Sequence, residues 1–355
     1  MQKIEYYVIL NNEAQISEEL QQKLSNVEVL FLQTKMPFSN IEIDIYVMPT
    51  NKKECEDFIK EQDEDIRKLF KIEQIGCSIQ YTAFIDILGF SNFIKHNIQN
   101  DFNAEEFHND LKDIIEYLKF EKDNKDNIEN AEYLNNISLK YTWVSDTFVI
   151  TMNYEKEIED NINIVKTMML FKVSMMVSSI SHFIVNKYGL LIRGAISYKY
   201  SCITTNLILG EGISEAATLE KIANVPRVIF EQSIICDDIY EIISRRYRDN
   251  NLNYISKDTD GYYFVNYLAM LQYIPPMIGK TFRVSGDKLK DFTVKKIDTT
   301  LNQYHKIAND GIESNISDAK LMTKYTWFKQ YLENVSSSVD FKKNIIENLE
   351  MTVIR

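Results

Sequence analysis

The chain has 355 residues, 26% of them charged and 12% aromatic, with a formal charge of -12 at pH 7. That length suits one large or two modest domains. That acidity sets aside a nucleic-acid surface as the main partner, but not a single nucleotide, which needs only a local cationic pocket. Four cysteines (Cys55, Cys77, Cys202, Cys236) without CxxC spacing set aside a zinc site or disulfide frame and read as buried free thiols in a reducing cytoplasm. The opening MQKIEYYVILNNE lacks the basic-then-apolar pattern of a targeting segment. The most apolar stretch, residues 168–185, contains Lys172, His182 and several serines, so it reads as a buried helix and not a bilayer span.

Residues 1–76 read as a small α/β unit. KIEYYVIL opens as a strand, residues 13–24 have helical period, IEIDIYV at 41–47 alternates as a strand, and residues 52–72 form a charged helix. With no cluster of catalytic residue types, this unit is structural, sensing, docking or dimerising. Residues 79–88 form a strand rich in β-formers. Tyr81, Ala83, Ile85 and Ile87 share one face, and Thr82, Phe84, Asp86 and Leu88 the other. Asp86 lies among apolar neighbours, where a carboxylate is costly unless paired or metal-bound. A turn at Gly89, Phe90 and Ser91 opens a short helix, capped by Ser91 or Asn92, whose first N–H groups suit an anion.

Residues 103–120 place Phe107, Leu111, Ile114, Ile115 and Leu118 on one helical face, and 121–136 are a charge-dense connection. ISLKYTWVSDTFVITM at 137–152 reads as a hairpin turning at Ser145 and Asp146. A long helix over 157–188 ends at Gly189, its methionines filling core. Strands follow at 190–200 and 203–209. A helix at 210–222 buries Ile213, Ala216, Ala217 and Leu219, and a strand at 226–230 and a helix at 231–247 come next. A strand at 262–268 and helices at 288–308 and 318–334 complete the chain, the last two covering the sheet. The expected fold is α+β: a ferredoxin-like βαββαβ core over 77–247, the N-terminal unit, and a mostly helical extension over 248–355 packing on the core. In that core the hairpin lies beside the first strand, so Asp146 approaches Asp86. Two such acids suit two divalent metals roughly 3.5–4 Å apart. Magnesium fits oxygen ligands completed by phosphates.

FIDILGF, SDTFVI, LIRGAIS and GEGISEAATLEKIANVPRVIF, in that order, resemble the catalytic domain of the class III nucleotidyl cyclases. The likeness covers residues 81–230, under half the chain. It implies that Asp86 and Asp146 are the metal-binding aspartates and the Ile87 carbonyl the backbone ligand, for two Mg2+ or Mn2+ ions. It implies that Gly89, Phe90, Ser91, Asn92 and Phe93 wrap a triphosphate, and that two protomers pair head to tail. The implied reaction is displacement of pyrophosphate by the ribose 3′-hydroxyl of the same nucleotide.

The departures matter as much. The family's transition-state Asn and Arg fall at Ser214 and Thr218, and its purine-reading Lys and Asp at Thr142 and Leu207. Losing both base readers argues against ATP or GTP, because a pocket built to hydrogen-bond a purine discriminates strongly. The RGAIS block, LEKIANVPRV and KYTWFKQYLENV resemble the bacterial pyrimidine cyclases of the Pycsar antiphage system. That likeness implies an enzyme making cyclic UMP or cyclic CMP, uridylate favoured, for a separate effector. The cysteines, the acidity and the polar residues within the apolar stretch point to a cytoplasmic chain with no nucleic-acid or membrane partner. Arg193 is the first candidate for the missing cation and Arg227 the second; the plainer role for Arg193 is to pair a core carboxylate, Glu215 or Glu220. The alternatives are a purine cyclase with an atypical base pocket, or a nucleotide-binding sensor without turnover.

Overall fold

A computed structural model describes residues 5–10, 31–35, 42–46, 52–61, 64–67, 70–75, 78–97, 105–110, 112, 137–154, 162–203, 208–246, 253–269, 271 and 287–336. Their backbone separates into two units. One comprises residues 1–79 with 199–211, the other residues 80–198 with 212–355.

In the first unit, β1 (Glu5–Leu10), β2 (Phe31–Lys35), β3 (Glu42–Tyr46) and β4 (Phe70–Ile75) form a sheet in the order β2-β3-β1-β4, all antiparallel. Helices α1 (Lys52–Glu61) and α2 (Glu64–Arg67) precede β4. The single charged helix expected over 52–72 is therefore broken, and its end belongs to a strand. FKIEQI alternates, and β1 offers it six paired positions, Glu5 against Ile75 through Leu10 against Phe70. Tertiary pairing overrides a marginal helical period. The helix expected at 13–24 lies outside the described residues. Phe31–Lys35 was not anticipated as a strand.

The second sheet is organised by alternation. β5 (Ser78–Leu88) buries Tyr81, Ala83, Ile85 and Ile87 on one face, as the pattern predicts. β6 (Ile137–Val144) and β7 (Thr147–Tyr154) form the hairpin, turning at Ser145 and Asp146. Ser145 has φ 60 while Asp146 does not take a positive φ, the pattern of a type II′ turn. β8 (Leu191–Ile203), β9 (Ile208–Leu209), β10 (Val228–Phe230), β11 (Ile255–Lys257) and β12 (Tyr263–Val265) complete it in the order β11-β12-β10-β8-β5-β7-β6, with β9 pairing the far end of β8. Of β5 to β8, the last lies beside the first, then the third, then the second. β8 runs three residues further than expected before β9 returns beside it. β11 was not foreseen because three residues carry no periodicity.

α3 (Phe90–Asn97) follows β5 directly. The long helix α4 (Ile162–Tyr188) closes on Gly189, whose φ of 66 and N–H bond to the Val185 carbonyl (3.0 Å) form the expected C-cap. It is long and apolar enough to cross a membrane, yet 78% of its most apolar window is buried in the protein. Its methionines Met169, Met175 and Met176 are core. α5 (Glu211–Ala223) follows β9, and α6 (Asp237–Arg246) starts six residues later than expected. α7 (Asp287–Ser314) and α8 (Ala319–Ser336) contribute Tyr304, Ala308, Phe328 and Leu332 to the same core as β5 and α4. Cys202 is buried, but Cys236 is exposed at the start of α6, correcting the expectation that the thiols are interior.

His182 of α4 ties this core together. Its Nε2–H donates to the Tyr267 carbonyl (2.9 Å), so Nδ1 accepts from the Tyr304 hydroxyl of α7. Burial lowers its pKa to about 4, the bond to Tyr267 offsetting this only in part. A depressed histidine contributes stability that is whole above the unfolded value near 6.5 and lost as pH falls towards 4. His182→Gln should flatten the loss of stability between pH 6.5 and 4 by about 2–3 kcal/mol, read by urea melts at each pH.

Candidate active site

Backbone pairing brings the two sequence-predicted aspartates together. β5 and β7 are antiparallel with Asp86 opposite Thr147, and the Ile87 N–H donates to the Asp146 carbonyl (2.9 Å). Cross-strand partners share a face. Phe84, Val149 and Thr142 therefore lie on the face that carries Asp86, whereas Ile85, Phe148 and Trp143 lie on the other. Asp86 is held at 21% side-chain exposure. Its pKa is pushed up to about 6, first by burial, then by the charges of Glu220 and Asp146, and it is partly restored by Arg193 and Lys324. The site is a crowd of acids that calls for cations.

Arg193 answers that call from β8. Its Nη2 lies 3.4 Å from Asp86 Oδ2 and also pairs with Glu220 Oε1. Glu220 is buried on the inward face of α5, and the Arg193 Nε is buried without a hydrogen-bond partner. Gly194 makes the placement possible: a Cβ there would stand 2.4 Å from the Phe84 carbonyl oxygen, so β8 packs against β5 only because this residue has no side chain. Ser214 and Thr218 are exposed on α5, and the Thr218 hydroxyl bonds back to the Ser214 carbonyl. Arg227 is engaged elsewhere, buried against Asp258 and Asp260 with Trp327 beside it. Lys324 was missed by sequence reasoning. Burial lowers its pKa, and Arg193, Asp86 and Glu220 also act on it, so α8 carries a lysine into the field of this site. The KYTWFKQYLENV motif was the available signal.

Gly89 takes φ 80 and its carbonyl accepts the Phe93 N–H (3.0 Å), so Gly89 itself stands at the cap of α3. Ser91 and Asn92 are exposed in the first turn, which corrects the expected caps. Glycine wins because the left-handed φ is open to it, and because the Phe90 ring is drawn inward against Phe107 (5.4 Å between centroids). A cavity of about 450 Å³ lies beside both turns, lined by Phe90, Ser91, Ile94, Lys95, Phe107, Trp143 and Ser145. Its Trp143 wall is on the sheet face opposite Asp86. Leu207 lies outside the described residues.

No family model and no curated protein matches the chain. Among solved structures, an adenylate/guanylate cyclase/hydrolase from Silicibacter pomeroyi is 12% identical, covering 52% of this chain and 94% of that one with a TM-score of 0.28, a likeness too loose to carry fold or function.

Among the described residues no group of three or more His, Cys, Asp or Glu is arranged to hold a metal. Asp86 and Asp146 are a pair of hard oxygen donors, whose mutual repulsion a divalent cation would relieve, with phosphates and water completing its shell.

Two outcomes follow. A group raised in the folded state is destabilising once ionised, so Asp86 lowers stability as pH rises through about 6. Asp86→Asn should raise stability by about 1 kcal/mol at pH 8, after discounting for solvent screening, and change nothing at pH 4. Gly194→Ala should cost at least roughly 2 kcal/mol, because two backbones must part, as read by denaturant melts.

Proposed function

We propose that the chain is a pyrimidine nucleotide cyclase. It converts UTP, in preference to CTP, to the 3′,5′-cyclic monophosphate and pyrophosphate. The observation that carries this reading is the convergence of Asp86 and Asp146 through the β5–β7 pairing. The strand order β8-β5-β7-β6 supports it, being that of a ferredoxin-like βαββαβ core. Bound at Asp86, Asp146 and the Ile87 carbonyl, two Mg2+ or Mn2+ ions would ease ionisation of the ribose 3′-hydroxyl and neutralise departing pyrophosphate. The chain's own groups do the rest by position and charge. Gly89 to Phe93 form the phosphate turn. Arg193 and Lys324 supply positive charge where Ser214 and Thr218 cannot.

Thr142, on the face of Asp86, favours a pyrimidine because it lacks the reach and charge of a purine-reading lysine. In this reading two protomers pair head to tail in the cytoplasm, and the product is an antiphage signal read by a separate effector. One observation favours a sensor without turnover instead: Arg193 already faces Asp86 at 3.4 Å.

The test is incubation with Mn2+ and each of UTP, CTP, ATP and GTP, with products identified by mass. Cyclic UMP is expected, reduced at least roughly 100-fold by Asp86→Ala or Asp146→Ala. A cyclic purine would overturn the base assignment alone. Nucleotide binding with no product from any of the four would favour the sensor.

A further inference from the structure

Arg193 is shared between two carboxylates of unequal standing. One terminal nitrogen, Nη2, donates a hydrogen bond to Asp86 Oδ2 (3.4 Å) and is in closer ion-pair contact with Glu220 Oε1, a buried oxygen with no hydrogen-bond partner of its own. Glu220 is the more enclosed acid, at 6% side-chain exposure against 21% for Asp86. Where the resembled family carries its helix cation, at Thr218, this chain has an exposed hydroxyl bonded to its own helix backbone. Two residues on, the same helix turns a carboxylate inward. The cation stands on the neighbouring strand, and the helix supplies the acid that holds it.

We propose that Glu220 is a positioning residue that makes Arg193 exchangeable. By anchoring the guanidinium, it keeps Arg193 from closing fully onto Asp86. A divalent cation can then take Asp86 while Arg193 stays at Glu220, charged and directed towards the substrate's phosphates. This rests on the cyclase reading of Asp86. Lys324 adds a second cation to the same field from α8. A buried acid deprived of its arginine, or the reverse, is a costly state, which keeps the pair together whether or not Asp86 is engaged.

The test measures Mn2+ binding to the full chain, without nucleotide, by calorimetry, with a thermal melt of each variant to confirm folding. Glu220→Gln frees Arg193 to collapse onto Asp86, so Mn2+ affinity should fall roughly fivefold or more. Glu220→Asp keeps the charge but shortens the reach, and it should behave like Glu220→Gln. Arg193→Gln should tighten Mn2+ binding, and in that background the Glu220 substitutions should lose their effect, a coupling that independent sites do not show. A wild-type affinity for Glu220→Asp would overturn the proposal. So would an equal loss for Glu220→Gln with and without Arg193, because either result reduces Glu220 to a distant charge. Failure of the unaltered protein to bind Mn2+ would overturn the cyclase reading as well. Normal Mn2+ binding that ignores Glu220 overturns only this proposal.

Discussion

The hydrogen bond from the Ile87 N–H to the Asp146 carbonyl is the constraint on which the site depends. It is the last rung of the β5–β7 pairing, and it places the hairpin turn beside the end of β5. Neither aspartate chooses the other; backbone register puts them together. The electrostatic cost falls on Asp86, which burial and two neighbouring acids hold near a pKa of 6. Everything else around it is compensation. Arg193 reaches across from β8, and Lys324 comes from α8, more than two hundred residues further along the chain. The turn itself is strained, with Ser145 at φ 60 where glycine is the usual residue. Backbone strain at a hairpin turn is the kind of cost that a stable core absorbs.

At Gly194 the backbones of β8 and β5 come close: a Cβ there would stand 2.4 Å from the Phe84 carbonyl oxygen. The Gly194 N–H also donates to the Arg227 carbonyl (3.0 Å), which fixes β8 against β10 on its other side. Arg227 is in turn locked by Asp258 and Asp260. The two arginines in these paired strands thus divide the work. The fully buried one is saturated and structural. The partly exposed one is shared between acids and retains an unpartnered Nε. An under-satisfied arginine between two carboxylates is a costly arrangement for a purely structural role.

The sequence was most legible where periodicity and turn chemistry coincide. The alternation of YTAFIDIL, the Ser-Asp turn between two apolar runs and the glycine after Tyr188 each have one physical solution, and the structure adopts it. Boundaries failed where long-range pairing decides, as when β4 claims the end of the charged helix and when β8 runs on to meet β9. The cap of α3 was misjudged because Ser91 and Asn92 are good caps in isolation, but the burial of Phe90 moves the cap to Gly89, two or three residues earlier. The nearness of Asp86 and Asp146 was expected from the place of the hairpin beside the first strand, and the β5–β7 register brings their backbones together. Glu220 was one of two offered partners for Arg193, and only the packing of α5 chooses it over Glu215. Lys324 opens the KYTWFKQYLENV motif, but no local pattern tells a lysine on a C-terminal helix that it will face a distant acid.

That last point bears on what α7 and α8 are for. They do more than cover a sheet. Tyr304 accepts a place beside His182 in the centre of α4, and Tyr331 donates to Asn266 Oδ1 (2.7 Å) while accepting from the Leu268 N–H (3.1 Å). Trp327 donates to Asp258 (2.8 Å), the same acid that holds Arg227. Trp327 and Phe328 lie three and four residues from Lys324, one helical turn away. The interactions that fix the helix therefore also fix the lysine. α8 links a polar lock at one end of the sheet to the charge balance around Asp86. Three acids there, Asp86, Asp146 and Glu220, face two bases, Arg193 and Lys324, so negative charge is left in excess in this corner of an already acidic protein.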